Sequence, residues 1–382
     1  MKKSVLIVGP ISDFGGREVE AKIIASALIS NYKVSVLSTI KMTSNSVALL
    51  DDFNFHWNTI DKIISKNTLV SIVNQLCKKY YSIQEPAYCL TKNKVNKIYI
   101  DFQKLYLKIL EKQVQKNDYV IFLGEVDSKW LDDLTFFCKK DEKKIVLRTT
   151  GTVLNFPKET NFLKKIDKVL VHSSSNSVKL KENSITNIAI IDQTTLNEEK
   201  LLELSIDTNK TNLVYGYLGR YSAEKGILEL LNIFSKVDNK LIIAGSGCLI
   251  NEVDTIVAES NNIENLGEIA ADQIHSFFDK IDILIIPSLQ EAGPLVGVEA
   301  MAAGKIIIST KVGAMEERLL ESKNQFWFDV EAEKTLINLI HEISQLSSEE
   351  LNNIRKDNRR VYLKKYSIKS ISSYYVKLFD KV

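Results

Sequence analysis

The stretch IDILIIPSLQEAGPLVGVEAMAAG, residues 281–304, joins an apolar strand to a helix through a loop that carries a carboxylate. IDILIIPS has the continuous apolar character of a buried strand, and GPLVGVEAMAAG predicts a turn into a helix that ends at Gly304. Glu291 then lies in the loop, and Glu299 lies more than one turn inside the helix. The first N–H groups of such a helix bind phosphate readily, and acid groups beside them suit hydroxyls. The stretch therefore indicates a ligand with both groups, such as a sugar on a nucleoside diphosphate.

Short apolar strands alternate with amphipathic helices along the rest of the chain, which is typical of parallel α/β folds. SVLIVG (residues 4–9), a glycine loop and a helix open the chain, and residues 212–237 repeat this plan. We predict two doubly wound, Rossmann-like parallel-sheet domains facing each other across a central cleft. The predicted ranges are 1–200 and 201–360, with a polar connector over 193–211 and a helical segment, 361–382, that packs back toward the N-terminal domain. Ligands of such sheets bind beyond the carboxyl ends of the strands.

The composition of the chain excludes several classes of protein. The 382 residues are 45% hydrophobic and 26% charged, and the net charge of +2 argues against a dedicated nucleic-acid binder. Residues 1–200 nevertheless carry a net charge of about +8 and the remainder about −6. The apolar N-terminus is short and broken by glycine and proline, so we predict a strand there rather than a signal peptide, and no window is long enough to span a membrane. The cysteines are scattered, without the spacing of a disulfide framework or a metal site: Cys77, Cys89, Cys138 and Cys248. We expect a soluble protein of the reducing cytoplasm without a bound metal.

A second glycine loop, LGRYSAEKG, follows the strand of the C-terminal half and holds two cations. Gly219 and Gly226 bracket Arg220 and Lys225, which suits a tight turn and a close backbone approach. Two cations at one strand end favour an anion the size of a diphosphate. The alternative is a solvated loop whose charges pair with Glu224, as exposed charges often do.

Glu291 and Glu299 also have two interpretations. A glutamate at a helix start often only stabilises the helix dipole, and one within a helix is often solvated. The neighbours of Glu299 are apolar, however, and a carboxylate in such a setting is costly without partners. Ribose hydroxyls are suitable partners, so we favour a ligand contact for Glu299.

These motifs together resemble those of a known family. G-R-x4-K-G, then A-G-x-G, then E-x7-E ending in E-A-M-A-x-G is similar to the donor-binding half of the retaining glycosyltransferases of family 4, which have the GT-B fold. The resemblance covers about residues 213–317, and the loop with Gly15 and Gly16 adds to it. Residues 40–145 match no pattern that we can name.

The resemblance implies a role for each matching position. Arg220 and Lys225 would hold the diphosphate of a UDP or GDP type of donor and stabilise the leaving group, with Glu291 beside the transferred sugar as the third catalytic residue. Glu299 would bind ribose, and the backbone around residues 294–297 would cradle sugar and phosphate. The remaining donor-binding positions would be Gly15, Gly16, Gly219, Gly293, Leu295 and Val296. Negative charge would be met by cations and a helix terminus, with no metal ion or other cofactor. The acceptor would be a glycan or a lipid-linked sugar of bacterial-type surface polysaccharide or glycolipid assembly, and the anomeric configuration would be retained.

Three positions depart from the family pattern. Ala292–Gly293–Pro294 stands where many relatives have phenylalanine and glycine, and VGAMEE stands where a double glycine is common. The strand LRTTG ends in Arg148 and Thr149 where a histidine is frequent. These two residues either meet the acceptor or the donor phosphate, or only brace the cleft.

The basic N-terminal half contains a lysine column. Four lysines recur every four residues and share one helix face, with Phe102, Leu105 and Ile109 opposite: Lys104, Lys108, Lys112 and Lys116. The face is either an ordinary solvated one or is attracted to anionic lipid, since each lysine near such a surface adds up to about 1 kcal/mol. We therefore expect a cytoplasmic protein that is a candidate for peripheral attachment to the inner face of the membrane.

Other classes remain as alternatives to a glycosyltransferase. A GT-B-fold sugar-nucleotide epimerase would need further acid–base residues, and a phosphorylase would need a cofactor lysine. A non-catalytic nucleotide-sugar binder is disfavoured because Arg220, Lys225, Glu291 and Glu299 are all present. A nicotinamide-dependent Rossmann enzyme is disfavoured because GPISDFGG lacks the Gly-x-Gly-x-x-Gly spacing.

Overall fold

The computed structural model describes residues 2–52, 55–80, 82, 90–153, 156–157, 159–207 and 212–380. Cys89 lies outside the described residues. The chain divides into two compact units. Unit 1 comprises Met1–Val171, Ser177–Ile191 and Ser372–Val382, and unit 2 comprises His172–Asn176 and Asp192–Ile371.

Unit 1 is built on a seven-stranded sheet whose strand pairs are all parallel. The strands are β1 (Ser4–Gly9), β2 (Lys33–Ser38), β3 (His56–Thr59), β4 (Tyr119–Gly124), β5 (Lys144–Thr149), β6 (Lys168–Val171) and β7 (Ile188–Ile190). Their order is β3-β2-β1-β4-β5-β6-β7, so the direction of winding changes between β1 and β4. The helices are α1 (Gly16–Leu28), α2 (Ile60–Ile64), α3 (Thr68–Tyr80), α4 (Lys94–Tyr99), α5 (Phe102–Gln115) and α6 (Leu131–Lys140); α7 (Ser174–Glu182) starts in unit 2.

Unit 2 repeats the plan on a six-stranded parallel sheet. Its strands are β8 (Tyr215–Leu218), β9 (Leu241–Ala244), β10 (Ile263–Asn265), β11 (Ile283–Ile286), β12 (Ile306–Ser309) and β13 (Phe326–Trp327), in the order β10-β9-β8-β11-β12-β13. The helices are α8 (Glu198–Leu202), α9 (Ile227–Phe234), α10 (Ile250–Ala258), α11 (Ile274–Lys280), α12 (Leu295–Ala302), α13 (Met315–Leu319), α14 (Glu333–Ser344) and α15 (Ser348–Lys365). The last helix, α16 (Ile368–Phe379), begins in unit 2 and its residues from Ser372 onward belong to unit 1.

The central strands are apolar and fully covered, as parallel sheets with helices on both faces require. Every residue of β9, β11 and β12 is buried, and the same holds for β4 in unit 1. The prediction of two doubly wound parallel sheets is confirmed. The sequence analysis missed three short strands, β3, β10 and β13, because two to four residues are too few to show a strand pattern.

Helix α12 is anchored at its carboxyl end by a guanidinium group of α15. Arg359 donates from Nε to the carbonyl of Ala302 at 2.9 Å and from Nη1 to that of Leu202 at 3.0 Å. These donors satisfy carbonyls that a helix end leaves without partners. Gly304 follows the helix with φ +66°, the left-handed conformation that stops a helix, as the sequence predicts.

No helix among the described residues is both long and apolar enough to cross a lipid bilayer.

A buried charge network braces unit 1 around Arg148 at the end of β5. Arg148 is fully buried; its Nε donates to Glu20 Oε1 of α1 at 3.0 Å and its Nη1 donates to the carbonyl of Ile191 at 2.6 Å. The hydroxyl of Tyr375 in α16 donates to the same oxygen of Glu20. Thr149 is also buried, and its hydroxyl donates to the carbonyl of Leu170 at 3.1 Å. These contacts fit the bracing alternative, whereas a contact with donor or acceptor stays a prediction.

Arg148→Leu should lower the free energy of unfolding by about 3–5 kcal/mol, because it leaves the Glu20 carboxylate buried without its cation. The double variant with Glu20→Leu should regain most of that loss, since both charges are then removed together. Lys139→Leu is the control: its pair with Asp167 is partly exposed and should contribute about 1 kcal/mol or less. Urea denaturation measures the free energy of unfolding of all three variants. A stable Arg148→Leu protein that has lost activity would instead give Arg148 a ligand contact.

Candidate functional site

The carboxyl ends of β8 and β11 form the candidate site of unit 2. These two strands are neighbours at the point where the sheet order reverses, which is where open α/β sheets bind ligands. Gly226, at φ +66°, follows the β8 loop, and a Cβ on it would lie 2.2 Å from the carbonyl oxygen of Pro287 after β11. Only glycine permits this approach of the two loops. The result is that residues from both strand ends meet.

Lys225 and Glu291 are the residues that meet. The Lys225 ammonium donates to Glu291 Oε1 in an ion pair that is largely covered by protein, and Ser288 Oγ donates to the same oxygen at 3.5 Å. Arg220 lies apart from them: its side chain is 70% exposed, and its Nη1 is 3.9 Å from Glu224 Oε1. The structure therefore brings Lys225 and Glu291 together and leaves Arg220 extended into solvent.

Helix α12 begins next to this ion pair. Pro294 is its N-cap and carries no N–H, and the carbonyl of Pro294 accepts from Gly297 at 3.1 Å. Leu295 and Val296, the first two helical residues, have N–H groups without an acceptor among the described residues. Such unpaired donors at the positive end of a helix form a site for phosphate.

Glu299 is buried on α12, as its apolar neighbours predict. Its side chain is 4% exposed, and its Oε1 accepts a hydrogen bond from Thr195 Oγ1 at 3.2 Å. Burial raises the pKa of the Glu299 carboxyl to about 7, although the Thr195 hydroxyl acts in the opposite direction. A carboxyl with one protein partner retains capacity for further hydroxyl donors.

Arg318 of α13 fixes the entry to α12, and the sequence analysis missed it. Its guanidinium is fully buried and forms a two-point ion pair with Asp192, at 2.8 Å from Nε and 2.6 Å from Nη2. Its Nη1 donates to the carbonyl of Pro294 at 2.6 Å. A Cβ at Gly293 would lie 2.8 Å from Nη2, so glycine leaves room for this arginine. Burial lowers the pKa of Arg318, but the adjacent Asp192 carboxylate outweighs it and the pKa lies above its ordinary value.

Further polar contacts hold the segment 172–176 against the same loops of unit 2. Asn176 donates through Nδ2 to the carbonyl of Ala292 at 2.7 Å, and Glu317 accepts from the Ser174 N–H at 2.7 Å. The sequence contains only weak indications that these residues form buried polar contacts. Asp192 ends an apolar run, which is informative, but Arg318 and Glu317 resemble ordinary surface charges in the sequence.

The glycine loop of unit 1 lies after β1, at the reversal point of its own sheet. Gly15 is the N-cap of α1 at φ 138°, and Gly16 is the first helical residue. Glu18 closes the loop by accepting from the Ser12 N–H at 2.6 Å and the Ser12 hydroxyl at 2.8 Å. The Glu18 carboxylate therefore lies beside Gly15 and Gly16, which were predicted to bind the donor.

Unit 1 also contains a mainly apolar pocket of about 490 Å³ beyond β1, β2 and β4. Tyr106 and Trp130 stack in its wall with ring centroids 4.9 Å apart, and the Nζ of Lys129 lies 4.3 Å from the Trp130 ring centroid. Trp130 has φ 75°, a left-handed conformation that is rare for a bulky residue and that is found at functional sites. Ile40 and Phe102 complete the apolar lining.

Part of the chain is similar in sequence to known proteins. Residues 202–361 match the family described as "Glycosyl transferases group 1". An uncharacterised glycosyltransferase of Methanocaldococcus jannaschii is 29% identical over 206 residues, 53% of this chain and 56% of that protein. The lipopolysaccharide 1,2-N-acetylglucosaminetransferase of Salmonella typhimurium is 28% identical over 187 residues, 44% of this chain and 48% of that protein. The matches thus span about half the length of these relatives.

The crystal structure of Anabaena HepE in complex with UDP and glucose covers 99% of this chain and 100% of that chain, with a TM-score of 0.69 and 14% identity. This likeness shows the fold, which is GT-B with two Rossmann-like parallel-sheet domains. The family match covers residues 202–361, and the structural likeness extends over nearly the whole chain.

The raised pKa of Glu299 predicts a pH-dependent stability. The folded state holds the proton up to about pH 7, whereas the unfolded carboxyl loses it near pH 4.5. The folded state therefore binds more protons between these values, and the free energy of unfolding should fall as the pH rises through this window, by up to about 3 kcal/mol. Glu299→Gln should lack this contribution. Urea denaturation at several pH values measures the free energy of unfolding of wild type and of Glu299→Gln. The same pH dependence in both proteins would contradict a buried, protonated Glu299.

Proposed function

We propose that this chain is a glycosyltransferase that moves a sugar from a nucleoside-diphosphate donor to a glycan or lipid-linked acceptor. The observation that carries the proposal is the Lys225–Glu291 ion pair beside the free N–H groups of α12, at the reversal point of the sheet. A cation, a carboxylate and a phosphate-binding helix terminus within one loop cluster match the groups of a sugar nucleotide. An ion pair without the helix terminus would lack the N–H groups that bind phosphate.

Each group has a chemical task in this proposal. Lys225, Arg220 and the N–H groups of Leu295 and Val296 take the diphosphate and stabilise the negative charge that grows as the glycosidic C–O bond breaks. The exposed Arg220 is free to turn toward a phosphate. Glu291 contacts the transferred sugar, and Glu299 accepts hydrogen bonds from ribose hydroxyls. Protein cations perform the electrostatic work, so we expect activity to persist in EDTA.

The donor and acceptor classes follow from similarity. A UDP or GDP type of donor is proposed because the related HepE structure contains UDP. Assembly of a surface polysaccharide or glycolipid is proposed because the relatives include the Salmonella lipopolysaccharide enzyme and a capsular polysaccharide glycosyltransferase of Staphylococcus aureus. Retention of anomeric configuration and membership of family 4 are proposed from motif resemblance, and proton NMR of the product tests retention.

Lys225→Ala should lower kcat by at least about a hundredfold, because it removes a preorganised cation from the charge that develops on the diphosphate. Lys236→Ala is the matched control, since Lys236 is an exposed lysine of unit 2 paired with Glu333 at 2.7 Å. Initial rates with UDP- and GDP-sugars measure the effect, and circular dichroism checks folding. Unchanged activity in Lys225→Ala would contradict the assigned role. Release of an epimerised sugar nucleotide without acceptor would favour an epimerase, and donor binding without any turnover would favour a non-catalytic binder.

The apolar pocket of unit 1 is proposed to receive the acceptor, since the C–H face of a sugar packs on aromatic rings. Trp130→Ala should raise the KM for the acceptor by about tenfold and leave the KM for the donor unchanged. Phe136→Ala is the control, since Phe136 is an exposed aromatic residue of α6, the helix that Trp130 precedes. Steady-state kinetics with each substrate varied separates the two constants. Equal KM values for the acceptor in Trp130→Ala and wild type would exclude this pocket.

A further inference from the structure

Two lysines lie over the aromatic rings of the apolar pocket of unit 1. The Nζ of Lys129 is 4.3 Å from the Trp130 ring centroid, and the Nζ of Lys92 is 5.2 Å from the Tyr106 ring centroid. All four residues line the pocket, and the two rings stack on each other. The wall of the pocket therefore contains a continuous group of two rings and two cations.

The positive charge of these lysines is only partly neutralised by the protein. Lys92 pairs loosely with Asp61 Oδ1 at 3.5 Å, whereas Lys129 has no carboxylate at ion-pair distance among the described residues. None of the ten described residues that line the pocket is acidic. Glu125 and Asp127, from the same loop as Lys129, are exposed and lie outside the lining. The pocket thus presents net positive charge to a ligand.

The other polar side chains of the wall contribute little charge. The Tyr106 hydroxyl donates to the carbonyl of Thr39, and Ser128 Oγ accepts from the Glu125 N–H at 2.7 Å. The amide of Gln103 is exposed and suits sugar hydroxyls. Ammonium groups form their strongest hydrogen bonds with anions, because both partners are then charged. The two lysines are therefore the groups of the pocket that distinguish a charged ligand from a neutral one.

We propose that the acceptor sugar carries an anionic group, a carboxylate or a phosphate, and that Lys92 and Lys129 select it. This inference rests on the proposed function, in which the pocket receives the acceptor. The C–H face of the sugar packs on the rings, and its anionic group binds the ammonium groups. A neutral sugar would compete with the Lys129 ammonium for the Trp130 ring and would offer it no charge in return. The surrounding segment adds attraction at longer range, since residues 61–116 contain eleven lysines and four carboxylates.

Binding of sugars that differ only in charge tests the proposal. The pairs are methyl glucoside with methyl glucuronide, methyl galactoside with methyl galacturonide, and N-acetylglucosamine with its 6-phosphate. Ligand-observed NMR titrations of the full chain give each Kd. Wild type should bind the charged member of at least one pair about tenfold more tightly in about 0.05 M salt, and the preference should shrink in about 0.5 M salt.

Two double variants assign the preference to the lysines. Lys92→Gln with Lys129→Gln should bring the two Kd values of a pair within about twofold, by weakening the charged member alone. Lys92→Arg with Lys129→Arg should retain the preference, because the charge stays. The control is Lys108→Gln with Lys112→Gln, which changes the net charge equally; both lysines are exposed on α5 and lie outside the pocket lining. This control should bind as wild type does.

Three results would overturn the proposal. These are equal Kd values for the two members of every pair in wild type, a preference that the Lys92→Gln, Lys129→Gln protein retains, and a loss of preference in the control. Absence of binding by every charged sugar would also overturn it. If the carboxylates are preferred and the phosphate is not, or the reverse, the result identifies the anion.

The binding measurement is independent of catalysis. It needs neither donor nor turnover, so its outcome holds even if the chain transfers no sugar and the proposed function fails. Conversely, transfer to a neutral acceptor with the same KM in wild type and in the Lys92→Gln, Lys129→Gln protein would leave the proposed function intact. That result would overturn selection of the acceptor by charge.

Discussion

The close approach of the loops after β8 and β11 is the constraint on which the candidate site depends. Because Gly226 lies against the carbonyl of Pro287, Lys225 reaches Glu291 although the two are 66 residues apart in the chain. Parallel strands place both loops at one sheet edge, and the order of β8 and β11 makes them neighbours at the reversal point. Any larger residue at position 226 would separate the cation from the carboxylate. The close approach of the two backbone segments thus determines the geometry of the ion pair.

Buried charge holds the elements around this ion pair in register. Arg318 joins Asp192, which follows β7 in the chain, to the carbonyl of Pro294 at the start of α12, while Arg359 holds the other end of that helix. Arg318 is fully buried, and a buried arginine is tolerated only when its donors and its charge are satisfied. Arg359 is partly buried, and its donors are satisfied by backbone carbonyls. Helix α12 is therefore fixed at both ends, and its free N–H groups point from a rigid element. A rigid phosphate site loses little entropy when it binds.

The sequence predicted the repeated elements well and the long-range polar contacts poorly. Buried strands and glycine loops have strong local patterns, so β8, β11 and α12 follow from residues 212–304 alone, and Gly304 ends its helix as expected. The Arg318–Asp192 pair joins residues 126 apart, and no local pattern distinguishes a buried arginine from a solvated one. The inward and outward sides of helix α3 were not predicted either. Its sequence carries apolar residues on more than one side, so periodicity could not show that Asn74 faces inward and Leu69 outward.

We propose that the loops after β8 and β11 and the start of α12 form a pocket for the diphosphate of a sugar nucleotide. The most direct measurement is a crystal structure of the protein soaked with a UDP-sugar or a GDP-sugar. We expect diphosphate oxygens within hydrogen-bonding distance of Lys225 and of the Leu295 and Val296 N–H groups, with the ribose at Glu299. A nucleotide bound elsewhere, with the Lys225–Glu291 ion pair undisturbed, would contradict it.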